Sequence, residues 1–354
     1  MRNTRMRTFR RSMLAPALCA LAGSLMIGSA TVAQQATPPQ RPQPIAAWSA
    51  KPAKLTPWRA PQKPHWKLSD VLRKHAGKQS WQEDIVSDRD FVASYISMAP
   101  GEKTRTQFFA DDRIFWIVQS GELRVTIEGQ APFVASRGFL VQVPYRNVYS
   151  METVGTEPSL RFEVKGANAV PLYPADVTPP PLPGKNYVKV SYTGRGSYDE
   201  VNKPYLDFLR DVVAANGRGG PFVKDDMTFA NLIRGQGQPP APPTNFGHFH
   251  VGYSEFWFVL EGKIDFLIEG VPFFTADQGD IVYAPQGRWH RASFGGSEMA
   301  TRVAINPRPD GMHNYQPPEG HSIEAVEATT SSSAATAVPS AATMAKHSFD
   351  LQAP

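Results

Sequence analysis

The sequence predicts an all-β protein built of two tandem antiparallel barrels with few helices. Three observations carry that expectation. Short apolar runs rich in Phe, Val, Ile and Tyr are broken by Gly and Pro at hairpin spacing. The 354 residues include 33 Pro and 27 Gly, a composition of turns rather than of helical bundles. One stretch also repeats: Phe256-Trp257-Phe258-Val259-Leu260-Glu261-Gly262 aligns with Phe115-Trp116-Ile117-Val118-Gln119-Ser120-Gly121 at an offset of 141.

Residues 1–33 have the pattern of an export signal: a charged start to Arg11, an apolar core from Met13 to Ile27, and Thr31-Val32-Ala33 as cleavage site. The core is short and rich in Ala and Gly, so no stable membrane span is expected after cleavage; an uncleaved anchor is the alternative. Arg10-Arg11-Ser12-Met13-Leu14 resembles a twin-arginine signal. The mature protein is expected to start near Gln34 and to be periplasmic or secreted. Formal charge is +5, yet Arg2, Arg5, Arg7, Arg10 and Arg11 account for all of it, leaving 32 basic and 32 acidic residues beyond residue 33. A neutral body argues against nucleic acid as a partner. Cys19 is the one cysteine, so neither an intramolecular disulfide nor a Cys-ligated metal is expected.

Residues 34–68 form a Pro-rich segment whose Trp48, Trp58 and Trp66 are expected to strap it onto a barrel surface. The first barrel is expected over 69–170, a Pro-rich connector over 171–188, the second barrel over 189–309 and a low-complexity tail over 310–354. Between 255 and 290 the two copies share 12 of 36 positions without a gap, including Gly279 with Gly138, Val282 with Val141 and Pro285 with Pro144. One helix is expected after Pro204, with Leu206, Leu209 and Val213 on one face and Asn216-Gly217 as its stop, packed outside the second barrel.

The chemistry-bearing residues lie in the second copy. His248 and His250 are two apart, so on a strand they share a face. Glu255 opens the next apolar run, and His290 follows the Pro285-Gln286-Gly287 turn. Three imidazoles and a carboxylate suit a divalent first-row ion, and four protein ligands leave two octahedral positions open.

These motifs resemble those of the cupins, and specifically the two-domain bicupins. The first cupin motif is His-x-His, a short spacer, Glu and a distant Gly; here it is His248, His250, Glu255 and Gly262. The second is Gly, Pro-x-Gly, His; here it is Gly279, Pro285, Gly287 and His290. The chain departs at two framing positions, with Phe294 where the family has Asn and Pro242 where it has Gly. The resemblance covers residues 70–310 and implies two double-stranded β-helix (jelly-roll) barrels. It implies one divalent ion per chain on His248, His250, Glu255 and His290, with Mn or Fe ahead of Zn, Ni and Cu.

In the first copy the equivalent positions are Gln107, Phe109, Ile114 and Tyr149, so that barrel is expected to hold no metal. With Glu255 and His290 facing inward, Trp257, Val259, Ala292 and Phe294 face inward too, and Trp257 and Phe294 are pocket candidates. Tyr283, Arg288 and Arg302 are the candidate catalytic or carboxylate-binding groups. His313 is expected to be a loop histidine, with a cap on the barrel mouth as the alternative, and His321 and His347 tail residues. Together these features predict a metal-dependent cupin enzyme acting on a small organic molecule, oxidative (dioxygenase or decarboxylase-like) ahead of an isomerase, lyase or hydrolase. A non-catalytic metal- or ligand-binding bicupin is the further alternative. Two barrels in one chain allow a monomer as well as a homo-oligomer.

Overall fold

The computed structural model describes residues 47–237 and 247–315. The expected signal, the tail beyond Tyr315 with His321 and His347, and Pro242 lie outside them. Ala47 and Trp48 belong to a separate unit, residues 1–48, and among the described residues all the secondary structure lies in the unit from Ser49.

In chain order the first half carries β1 (His65–Trp66), α1 (Leu68–Lys74), β2 (Trp81–Ser87), β3 (Phe91–Met98), β4 (Phe108–Phe109), β5 (Ile114–Ser120), β6 (Glu122–Ile127), β7 (Phe133–Ala135), β8 (Phe139–Val143), β9 (Tyr149–Val154), β10 (Ser159–Gly166) and β11 (Pro171–Leu172). The second half carries β12 (Tyr205–Asp207), a π-helix (Phe208–Val213), β13 (Gly219–Lys224), β14 (Phe229–Gly235), β15 (Glu255–Glu261), β16 (Lys263–Ile268), β17 (Phe274–Asp277), β18 (Ile281–Ala284), β19 (His290–Ser293) and β20 (Ala300–Asn306).

These strands build two barrels of one design. A six-stranded sheet ordered β12-β8-β5-β10-β3-β2 faces the three-stranded sheet β7-β6-β9. Strand for strand, β1-β18-β15-β20-β14-β13 faces β17-β16-β19. The fold is thus all-β with paired jelly-roll barrels. The repeat extends past the stretch legible in the sequence. Val86 pairs with Ala93 as Val223 pairs with Ala230, which is an offset of 137. The chain between β14 and β15 is four residues longer than that between β3 and β5, and this breaks the constant offset.

Parity along each central strand separates three cores. Trp257 and Val259 of β15 join Phe266, Ile268 and Ala292 inside the second barrel. Trp116 and Val118 join Leu123, Val125 and Met151 inside the first. The alternate residues Phe256, Phe258 and Leu260 meet Phe91, Phe115 and Phe162 in a third core between the two six-stranded sheets. Phe91 stands edge-on to Phe256 at 5.7 Å, and Phe162 lies 5.5 Å from Phe258. Both faces of these sheets are therefore buried, which explains continuous apolar runs in antiparallel strands. A buried polar tie crosses the same layer: Gln142 Nε2 donates to Phe222 O at 2.7 Å, and its Oε1 accepts from Arg113 Nη1 at 2.9 Å.

The barrels exchange edge strands. β1, which precedes the first barrel, pairs with β18 of the second; β12, which precedes the second, pairs with β8 of the first. Two expectations are corrected here. Residues 205–213 belong with the first barrel, and the second barrel's own strands begin at Gly219, not at 189. The helix is a six-residue π-helix that starts only after β12, with Asp207 accepting from Arg210 N at its head. It packs at the start of β8, where Phe208 N donates to O of the preceding Gly138 at 3.2 Å, and it buries Phe208 and Val212 between the barrels while Leu209 stays exposed.

The Pro-rich strap from Ser49 runs along the second barrel. Trp58 Nε1 donates to Tyr283 O at 3.1 Å. Asp280 holds the strap's end, accepting from Leu68 N at 2.9 Å while His65 Nε2 lies 2.7 Å from its second oxygen. Gly262 and Gly121 turn β15 and β5 into β16 and β6 at φ of 66° and 70°, and a Cβ on Gly262 would meet Met299 O at 2.7 Å. Only glycine fits both demands.

Candidate metal centre

The four expected ligands meet inside the mouth of the second barrel. His248 and His290 face each other across an isolated antiparallel bridge, with backbone N–H···O distances of 2.9 and 2.8 Å in the two directions. His250 lies two residues on, and Glu255 begins β15 on the inward parity shared by Trp257 and Val259. Glu255 Oε2 lies 2.8 Å from His250 Nε2, 3.1 Å from His290 Nε2 and 3.5 Å from His248 Nε2. One ligand atom from each of the four residues lies within 4.8 Å of all the others. His250, Glu255 and His290 are buried, and His248 keeps 20% of its side chain exposed.

The second ring nitrogens decide what this cluster is for. His290 Nδ1 lies 3.0 Å from Arg288 O, and His250 Nδ1 lies 3.2 Å from Met312 O. A backbone carbonyl only accepts, so each Nδ1 carries a proton and each ring turns its Nε2 toward Glu255. Three imidazole nitrogens and a carboxylate converging within 4.8 Å suit a cation. At 3.5 Å the His248 Nε2 contact is too long for a good hydrogen bond, which fits its lacking a hydrogen-bond partner. Burial lowers the His248 pKa to about 4 against the opposing pull of Glu255, and burial likewise lowers that of His290. Burial alone would raise the Glu255 carboxyl, but the three imidazoles hold it well below the usual carboxylate range. All these shifts favour the ligating protonation states at neutral pH.

Trp257 is buried with its ring edge-on to His290 at 5.0 Å, and Phe294 is buried in the same barrel interior. Of the candidate catalytic groups, only Arg302 points inward. It pairs with Val259 on the parity of the inward-facing Ala300 and Ala304. Tyr283 sits between the inward-facing Val282 and Ala284, so it faces the inter-barrel layer and donates to Asp88 Oδ2 at 2.9 Å. Arg288 is engaged by the strap: its Nε donates to Thr56 O at 2.7 Å, its Nη1 to Glu269 O at 2.6 Å, and its guanidinium lies 3.8 Å over the Trp58 ring.

Two aromatic residues at the site, Tyr253 and Tyr315, were not expected from the sequence. Tyr253 stacks on His250 at 4.3 Å. His313 stands 4.3 Å from His248 and 5.1 Å from His250, and Tyr315 stacks on His313. His313 is a loop residue, as expected, and its ring stands beside the site, as the alternative had it. The segment after β20 folds back because Asn314 bridges Phe249 through both backbone directions at 3.0 Å and its Nδ2 donates to Phe249 O. Asn314 within Met312–Tyr315 was the available signal.

The first barrel reproduces the backbone without the ligands. Gln107 bridges Tyr149 as His248 bridges His290, and Gln107 Nε2 donates to Tyr149 Oη at 2.9 Å. Burial pushes the Tyr149 phenol far up, so it stays a neutral hydroxyl. Among the described residues, the second-barrel cluster is the one group fit to hold an ion.

Comparison with known proteins agrees with this geometry. Residues 239–305 match the Cupin domain family. No curated protein matches the chain. Among solved structures, a mutant of salicylate 1,2-dioxygenase from Pseudoaminobacter salicylatoxidans aligns at a TM-score of 0.50 and 13% identity, covering 68% of this chain and 82% of that one. A Cupin 2 conserved barrel domain protein from Leptotrichia buccalis aligns at 0.45 and 14% identity, covering 67% and 94%. A deletion mutant of Bacillus subtilis oxalate decarboxylase aligns at 0.44 and 13%, covering 73% and 80%. The chain thus has the fold of paired cupin barrels, a Cupin domain match over residues 239–305, and a His/Glu group that could hold a metal in its C-terminal barrel.

Proposed function

We propose that the protein is an exported, metal-dependent cupin enzyme acting on a small organic molecule in its second barrel, with oxidative chemistry of the dioxygenase or decarboxylase kind. The observation that carries this reading is the convergence of three Nε2 atoms and Glu255 Oε2 in the second barrel. His248, His250, Glu255 and His290 would hold one divalent ion, with Mn or Fe ahead of Zn, Ni and Cu. When bound, such an ion supplies Lewis acidity and adjacent open positions for a substrate and dioxygen.

The chain's own groups do the rest. Arg288 O and Met312 O accept from Nδ1 of His290 and His250 and so fix both rings in the ligating tautomer. Trp257 packs against His290 from the interior and keeps water from that side of the ligand. His313, Tyr253 and Tyr315 line the entrance. The salicylate 1,2-dioxygenase that shares the fold has also been solved with gentisate, an aromatic acid, which makes small aromatic acids the first substrates to try.

The test is metal analysis of the purified chain, then oxygen uptake by the manganese- and iron-loaded protein on a panel of such acids. Metal-dependent oxygen uptake or carbon dioxide release supports the reading. Turnover without either moves the protein to the isomerase, lyase or hydrolase class, and a loaded protein that turns over nothing is a binding bicupin. Export is tested separately: Arg10→Lys with Arg11→Lys keeps the charge and should block a twin-arginine route. Normal export of that double variant refutes the route.

A further inference from the structure

Both barrels carry an arginine at the same place, and only one of them is paired. Arg161 sits opposite Val118 on β10 as Arg302 sits opposite Val259 on β20. Arg161 is buried and satisfied: its Nε donates to Glu163 Oε2 at 3.0 Å, and its Nη1 lies 3.1 Å from Met98 Sδ. The second barrel has neither partner. Glu163 stands opposite Trp116, and the residue opposite Trp257 is Ala304. Met98 stands opposite Ser159, and the residue opposite the equivalent Ala300 is Gly235.

Phe294 takes the place of the Met98 side chain. Its ring packs so closely on Gly235 that a Cβ there would lie 3.0 Å away, and the Arg302 guanidinium rests over it at 4.8 Å. Nothing in the described residues replaces the Glu163 carboxylate. Arg302 Nε and Nη1 are buried with no hydrogen-bond partner. Two buried guanidinium nitrogens without an acceptor are costly to hold, and a planar fork of donors best fits a carboxylate. The surroundings are also cut back: Ala284 and Ala292 line the second barrel where Val143 and Met151 fill the first. Arg302 remains cationic at neutral pH even though burial lowers its pKa to about 10, and Glu255 works against that lowering from the same interior.

We propose that the second barrel binds its ligand through a carboxylate received by Arg302, in the place that the Glu163 side chain holds in the first barrel. The proposal deepens the enzyme reading above by naming the substrate's anchoring group, and it rests on the second barrel being the working site. Arg302 is a binding and specificity-determining residue; the metal ligands do not depend on it.

The experiment titrates the full-length protein, chelator-treated and manganese-loaded, with acetate, oxalate, benzoate and the neutral isostere benzamide by calorimetry. At least one carboxylate should bind in both forms, and benzamide at least about tenfold more weakly than benzoate. Arg302→Gln should weaken the carboxylate by about tenfold or more at unchanged metal content, with partial rescue in Arg302→Lys. Ala304→Glu rebuilds the pair seen in the first barrel, so it should abolish carboxylate binding while leaving the thermal midpoint equal or higher. Wild-type affinity retained in both Arg302→Gln and Ala304→Glu, or no carboxylate binding by the wild type, overturns the proposal. The two readings fail separately. A protein that holds no metal yet binds a carboxylate through Arg302 loses the enzyme reading and keeps the anchor. A metal-dependent enzyme whose carboxylate affinity ignores Arg302 does the reverse.

Discussion

His248 shows how a single residue couples the site to pH. Its folded pKa is about 4 against an ordinary 6.5, lowered by burial. The unfolded chain therefore takes up this proton first as pH falls, and stability drops between about pH 6.5 and 4. The Glu255 carboxyl, held low by the imidazoles, acts in the same direction at more acid pH, because its contribution is present above its unfolded value and is lost as pH falls through the folded one. Chelator-treated protein should lose on the order of 3 kcal/mol across that window from His248 alone, read as the urea midpoint against pH, and His248→Gln should flatten the curve. At this scale the sequence was informative where parity decides the outcome. Trp257, Val259 and Phe294 face inward as alternation requires, and the same rule applied to Val282 and Ala284 turns Tyr283 outward. It was silent where partners come from far along the chain. Arg288 is occupied by Thr56, 232 positions away, and His313 reaches the site only because Asn314 bridges Phe249.

At the scale of elements, the exchange of β1 and β12 between the barrels makes the strap part of the second barrel's stability. Trp58→Ala removes a half-buried ring, its hydrogen bond to Tyr283 O and the stacking surface of Arg288. It should cost about 2 kcal/mol by urea unfolding and leave metal content unchanged, since no ligand touches the ring. Gly262→Ala should cost more than about 1 kcal/mol, because the added Cβ meets Met299 O in a left-handed turn. The constant offset exposed the strands from β5 to β8 and their partners, but the four extra residues before β15 hid the kinship of β2 and β3 with β13 and β14. The helix was misplaced because its apolar spacing is equally that of a short strand followed by one turn. Leu206 lies in β12, and Phe208 and Val212 carry the buried face.

Over the whole molecule, two barrels of one backbone plan differ in the side chains they turn inward. Phe256 lies in the core between them, so Phe256→Ala should cost about 3–5 kcal/mol and loosen both barrels in one unfolding transition. Gln107 and Tyr149 close the first barrel where His248 and His290 open the second to a cation, so Gln107→Ala and Tyr149→Phe should leave the bound metal untouched. The central claim is that one divalent ion sits on four residues of the second barrel. Its most direct test is the metal-to-chain ratio of the purified full-length protein and of His290→Ala, measured by elemental analysis alongside circular dichroism. The account predicts one ion per chain in the parent and almost none in the folded variant. A ratio near two in the parent, or an undiminished ratio in folded His290→Ala, would contradict it.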